Sequence, residues 1–244
     1  MKKYLLFQSF LLLVSTQVLF GQSSETFVLK PGEDLFEKHY KDVFAYPEFR
    51  LGKVYYANGD SAGGKMNYNR FLEIFEFIDN HRDTLVFSPD ENIKHINIAG
   101  DIYYYNKPDF LLWTAEAASC KLAVKQSVKL KDVRKIGAFG ISTSTSKIES
   151  LDQLRAEQTH QLIANEEIIF SKEKMFYFSN ERNSFLPANK KNILKFFSSK
   201  KKNIEAYLAN HNIDFQNETQ LLELLNFIQN IKWAPGQLKI NSQV

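Results

Sequence analysis

The stretch Lys121-Leu122-Ala123-Val124-Lys125-Gln126-Ser127-Val128-Lys129-Leu130-Lys131 decides the fold. Lys121, Lys125, Lys129 and Lys131 fall on one parity, and Leu122, Val124, Val128 and Leu130 on the other. Successive side chains of a strand point to opposite faces. A period of two therefore predicts one face in the core and one basic face in water. Cys120 adjoins this run and is expected half-buried in the same strand.

The same texture continues upstream. Lys53-Val54-Tyr55-Tyr56 runs into Asn58-Gly59, a pair that tolerates positive φ and marks a hairpin, with Gly64–Tyr68 as the return strand. Leu72–Ile78, Thr84–Phe87, Ile93–Ile98, Ile102–Tyr105 and Phe110–Thr114 follow as short apolar or aromatic runs. Asp79-Asn80-His81, Ser88-Pro89-Asp90, Gly100-Asp101 and Asn106-Lys107-Pro108 break between them. Strands at this spacing predict an antiparallel sandwich or barrel-like sheet. Before them, Thr26–Lys30 reads as a short strand ended by Pro31-Gly32, and Asp34–Phe44 carries its apolar residues at helical spacing.

Downstream, Gly137–Ser146 is small and polar and reads as an exposed loop. Glu167–Phe170 and Met175–Phe178 flank Ser171-Lys172-Glu173-Lys174 like the two arms of a hairpin. From Pro187 the pattern becomes helical. Ile193, Leu194, Phe196 and Phe197 mark one helix. Ile204, Tyr207 and Leu208 mark a second, with Ser199 as its cap. Leu221, Leu224, Leu225 and Ile228 mark a third, with Asn217 as cap and Gln220 at the capping-box position. The expected class is α+β, mainly antiparallel sheet followed by a short-helix C-terminal region. Its divisions are a signal peptide over 1–21, a lead-in over 22–47, a β region over 48–180 with a Ser/Thr-rich loop over 137–147, and a helical tail over 187–232.

The 244 residues can bury a core large enough to need no disulfide or metal, and the single cysteine, Cys120, forms no intrachain disulfide. A formal charge of only +3 does not suggest a dedicated nucleic-acid binder. Lys2 and Lys3 precede an interrupted apolar run ending at Phe20-Gly21, the pattern of a secretory signal peptide cleaved after Gly21. The run is too short for a membrane span, and no later stretch is long enough for one. The chain is thus expected to be exported to the periplasm, the outer-membrane periphery or the exterior.

Chemistry leaves few marks. His39, His81, His95, His160 and His211 show no zincin spacing, and no metal site or cofactor is expected. Gly59–Lys65 is glycine-rich and ends in Lys, but it lacks the Walker spacing and precedes a strand, so it reads as a hairpin turn. Ser144, Ser171, Ser198 and Ser199 each begin an S-x-x-K match, four being what chance yields in a Lys- and Ser-rich chain. No catalytic residue is assigned. The candidate binding surface consists of Lys121, Lys125, Lys129 and Lys131 with Tyr103, Tyr105 and Trp113. A second basic tract is Lys190, Lys191, Lys195, Lys200, Lys201 and Lys202.

Two stretches carry a resemblance. KVYYANGDSAGGKMNYN (Lys53–Asn69) and KKKNIEAYLANHNIDFQNETQLLELLNFI within Ile193–Ile228 are similar to a group of uncharacterised secreted proteins of Bacteroidetes-type bacteria. In that group a β-rich front half with an NYN-like segment precedes a serine-rich loop and a helical tail. The resemblance implies an envelope or secreted location and supplies no catalytic residue. Tyr55–Asp60 is also similar to one unit of the MORN repeat, present here in one copy. The expected function is a non-catalytic binding or interaction module of the cell envelope, its partner an envelope protein, a glycan or an anionic lipid surface. An envelope-polymer hydrolase is the first alternative and a peripheral membrane-surface protein the second.

Overall fold

Cys120–Ile136 is one strand of seventeen residues, longer than the alternation that announces it. In chain order the strands of the computed structural model are β1 (Thr26–Leu29), β2 (Arg50–Tyr56), β3 (Ser61–Asn69), β4 (Ile74–Ile78), β5 (Thr84–Val86), β6 (Ile93–Ile98), β7 (Asp101–Asn106), β8 (Asp109–Ala117), β9 (Cys120–Ile136), β10 (Ser142–Ser144), β11 (Glu167–Ser179) and β12 (Phe185–Pro187). The structure describes residues 25–89, 92–117, 120–136, 142–144, 162–179 and 183–231. The expected signal peptide and most of the Ser/Thr-rich loop lie outside the described residues.

The fold is α+β and mainly antiparallel. All strands join one sheet in the order β1-β11-β9-β8-β7-β6-β2-β3-β4-β5, with β10 on β9 and β12 on β11. The sheet curls. β8 pairs with β9 only as far as Leu112 opposite Val124. Beyond that point the β3–β4 turn reaches the vacated edge of β9. Val128 N–H donates to Arg70 O at 2.9 Å, Tyr68 Oη to Gln126 O at 3.4 Å, and Arg70 Nε to Gln126 Oε1 at 2.9 Å.

The inward face carries the core in three regions. Inside the curl, Val54, Met66, Tyr68, Phe75, Ile96, Tyr103 and Phe110 pack together. Lower on β9 and β11, Val128 and Phe170 are covered by the lead-in, whose one-turn helices α1 (Leu35–Lys38) and α2 (Tyr40–Val43) contribute Leu35, Phe36 and Val43. At the far end, Leu122, Val124, Phe176 and Phe178 receive the C-terminal helices α3 (Lys190–Phe196), α4 (Lys201–Asn210) and α5 (Glu218–Asn230). Leu221, Leu224, Leu225 and Ile228 of α5 are fully buried there. At about 1.5–3 kcal/mol per side chain, this burial orders helices too short to stand alone.

Asn67-Tyr68-Asn69 is a bracket built on strand alternation. Tyr68 points inward. Asn67 takes Tyr46 N–H on Oδ1 at 3.1 Å and donates Nδ2 to Tyr46 O at 2.9 Å, holding the lead-in. Asn69 takes Phe71 N–H and Leu72 N–H on Oδ1 and donates to buried Glu76 at 2.7 Å, shaping the β3–β4 turn.

Several expectations are corrected. Leu72 and Glu73 belong to that turn and not to β4, because the Asn69 cap bends the backbone and Glu73 takes φ 62°. Ser171–Lys174 is no hairpin turn. It has no glycine or asparagine to supply positive φ, and each of its residues pairs with Lys129–Gln126, making β11 continuous. Ser142–Ser144 of the expected loop pairs with Arg134–Ile136. The expected single helix over Asp34–Phe44 is broken at His39 into α1 and α2. Ser199 lies in a 3-10 turn and caps nothing. Asn217 caps α5, but the Gln220 carboxamide accepts from Asp214 N–H and closes no capping box.

Candidate functional site

Strand parity places every outward group. On β9 the odd-numbered residues from 121 to 129 face away from the core. Lys121, Lys125 and Lys129 therefore share a face, as the alternation requires. Lys131 is exposed in the bulge where β11 slips register between Ile169 and Phe170, and the stripe ends there.

The lysines do not form an open basic face. The β3–β4 turn delivers Glu73 between two of them. Lys125 Nζ lies 2.7 Å from Glu73 Oε2 and 2.6 Å from Asp109 Oδ1, and Lys129 pairs with the other Glu73 oxygen. Burial pushes the Glu73 carboxyl up, but hydrogen bonds and charge from Lys125 and Lys129 outweigh it. The group titrates below the ordinary 4.5. Burial likewise pulls Lys125 down, and its two carboxylate partners carry it above its usual value. Lys121 is different: its Nζ donates to Asn183 Oδ1 at 2.7 Å and lies 5.8 Å from the centre of the Tyr104 ring.

The aromatic candidates divide by face. Tyr103 is 3% exposed and lies in the core against Phe75 and Tyr68, and Tyr105 packs inward on Phe110. Tyr103 is closed off from a surface ligand, whereas Tyr105, of the same parity, is half-buried. Tyr104 is the outward member. Trp113 shares its face, half-buried, with Nε1 donating to Ala115 O at 2.8 Å.

Around Tyr104 a row crosses three strands. Tyr55 of β2 is opposite His95 of β6, and their rings stack at 4.6 Å with an interplanar angle of 21°. His95 lies 6.2 Å from Tyr104 of β7. Lys53 Nζ sits 5.4 Å from the Tyr55 ring centre, so ammonium groups stand at both ends of the row. All three rings are half-buried. Burial, with the charge of Lys94, holds the His95 imidazole below 6.5, so the ring is uncharged at neutral pH. Beneath the far end, Tyr104 packs on Phe185 at 5.3 Å, over a small cluster of Leu111, Ala123 and Tyr177. The row was legible in principle: Tyr55 opposes the inward Val54, as Tyr104 opposes Tyr103. What alternation alone does not say is which of two tyrosine sets faces the core.

The remaining candidates assemble no chemistry. Cys120 is buried against the helices, and burial raises its thiol to about 12, which disfavours the thiolate. Ser171 is buried and hydrogen-bonds Glu173. Among the described residues no three His, Cys, Asp or Glu side chains are grouped to hold a metal, and no helix is long and apolar enough to cross a membrane. In the tail, Lys190, Lys191, Lys195, Lys201 and Lys202 are exposed. Lys200 instead donates to Ile228 O at 2.6 Å, placing a cation on the last carbonyls of α5. Set against known protein families, curated proteins and solved structures, the chain matches none of them.

Proposed function

We propose that this is a non-catalytic envelope protein, exported by its first 21 residues, that binds an acidic saccharide on the sheet face centred on Tyr55, His95 and Tyr104. The observation that carries the reading is the half-buried ring row with Lys53 and Lys121 at its ends. Sugar rings present C–H faces that pack on aromatic planes, and uronate carboxylates are matched by ammonium groups at the ends of such a platform. The aromatic side chains are held on strands, so little conformational entropy is lost on contact.

The test is a titration of the labelled mature protein with galacturonate oligomers, followed by NMR. Shifts should centre on Tyr55, His95 and Tyr104, weaken with salt and fall at least tenfold in affinity in Tyr104→Ala. Shifts on another face, or an unchanged affinity in that variant, would refute the site. Cleavage of the oligomer would refute the non-catalytic part. N-terminal sequencing of the protein from envelope fractions should begin close to Gln22, and a cytosolic chain retaining Met1–Gly21 would refute export.

A further inference from the structure

The glycines of the strands differ in what they are for. Gly59 and Gly100 take positive φ in turns, where a side chain is strained. Gly52 is forced by crowding, since a Cβ there would lie 2.7 Å from Met66 Sδ and 2.9 Å from Ile98 Cγ1. Gly64 has neither reason. Its φ is not positive, and a Cβ built on it meets no atom within 4 Å. A glycine inside a strand weakens it, so a position that neither strain nor crowding demands points to space kept open for something else.

That space is a cavity of about 170 Å³ at the open end of the curl. Val54, Met66, Phe77, Phe87 and Ile96 line it with Gly64, and its surface is overwhelmingly apolar. Glu76 also borders it. Its neighbours Phe75 and Phe77 point inward, however, so its own carboxyl lies on the opposite face, against Asn69. The apolar surface continues outside. Phe77 and Phe87 are half-buried, and Leu85, opposite Phe77 on edge strand β5, is 42% exposed.

We propose that this cavity binds the hydrocarbon tail of a small amphiphile. Its volume is close to the ~150 Å³ that accommodates benzene in an apolar protein cavity, so it takes roughly six carbons. The strip from Phe77 to Leu85 carries the next few carbons of a chain to the surface, and the headgroup stays in water. A compact ring would leave that strip unused. The site lies on the inward side of the sheet, opposite the saccharide face, and does not depend on it.

The experiment is calorimetric titration with sodium octanoate and n-octyl-β-glucoside, each below its critical micelle concentration, with acetate, glucose and benzyl alcohol as controls. Both octyl compounds should bind saturably with dissociation constants within a few-fold of each other, and acetate and glucose should not bind. Gly64→Leu should weaken both by at least tenfold, while Gly64→Ala should keep the fold and raise its melting temperature. Should Gly64→Leu fail to fold, Phe87→Ser at the rim must give the same loss. Octanoate carries no sugar, so Tyr104→Ala must leave its binding unchanged whether or not the saccharide reading survives. Absence of saturable octanoate binding, equal binding in the filled variant, or uptake of benzyl alcohol alone overturns the proposal.

Discussion

Replacing Lys125 by methionine tests whether the lysine stripe is a ligand surface or a clasp. Lys125 is 16% exposed, and its partners Glu73 and Asp109 are 18% and 20% exposed. Exposed ion pairs contribute about 0–1 kcal/mol, whereas removing one partner of a fully buried pair costs about 3–5 kcal/mol. These groups lie between the limits, and methionine keeps most of the apolar stem, so Lys125→Met should cost about 2 kcal/mol. For a chain of this size that lowers Tm by roughly 4–8 °C, read by circular dichroism at pH 7. A double-mutant cycle with Glu73→Gln should show the two residues coupled by about 1 kcal/mol. The sign of the pH dependence follows from Glu73. Its folded-state pKa lies below 4.5, so its contribution is present above that value and disappears as the pH falls through the folded pKa. The gap in Tm between wild type and variant should close in acid below pH 4.5. An unchanged Tm at pH 7, together with loss of saccharide binding, would refute the clasp and return Lys125 to the ligand surface.

Asn69→Ala should be more damaging, because it strips the acceptor from Phe71 N–H and Leu72 N–H and the donor from buried Glu76. With three buried hydrogen bonds lost at about 1 kcal/mol each, urea denaturation should show a loss of about 3 kcal/mol. His95 makes a second pH prediction. Its folded-state pKa lies below the unfolded 6.5, so the unfolded chain gains more protons as the pH falls through 6.5 and stability declines there. Thermal scans from pH 7.5 to pH 5 should show a smaller decline in His95→Phe.

The sheet was legible because alternation and turn chemistry are local. Asn58-Gly59 and Asp79-Asn80-His81 mark their turns, and each strand from β6 to β9 falls where the apolar runs place it. Contacts made across the curl were not. Nothing along the chain says that Glu73 meets Lys125, since the meeting depends on β8 leaving β9 at Val124 and a distant turn filling the gap. The choice between Tyr103 and Tyr104 failed for a related reason. Three tyrosines in succession supply an aromatic to both faces, and only the curl decides which side is closed. The polar run Ser171–Lys174 misled because strand pairing over-rode composition.

The order in which the sheet can be completed carries a consequence for biogenesis. Thr26 is opposite Ser171, so β1 waits unpaired until β11 has been made, and the greasy patch of Leu122, Val124, Phe176 and Phe178 waits longer still for α5. A polypeptide delivered from its N-terminus onward thus exposes an unfinished edge and an uncovered apolar surface at the same time, the two features that most invite aggregation. Its yield should accordingly depend on a holding chaperone far more than its final stability would suggest.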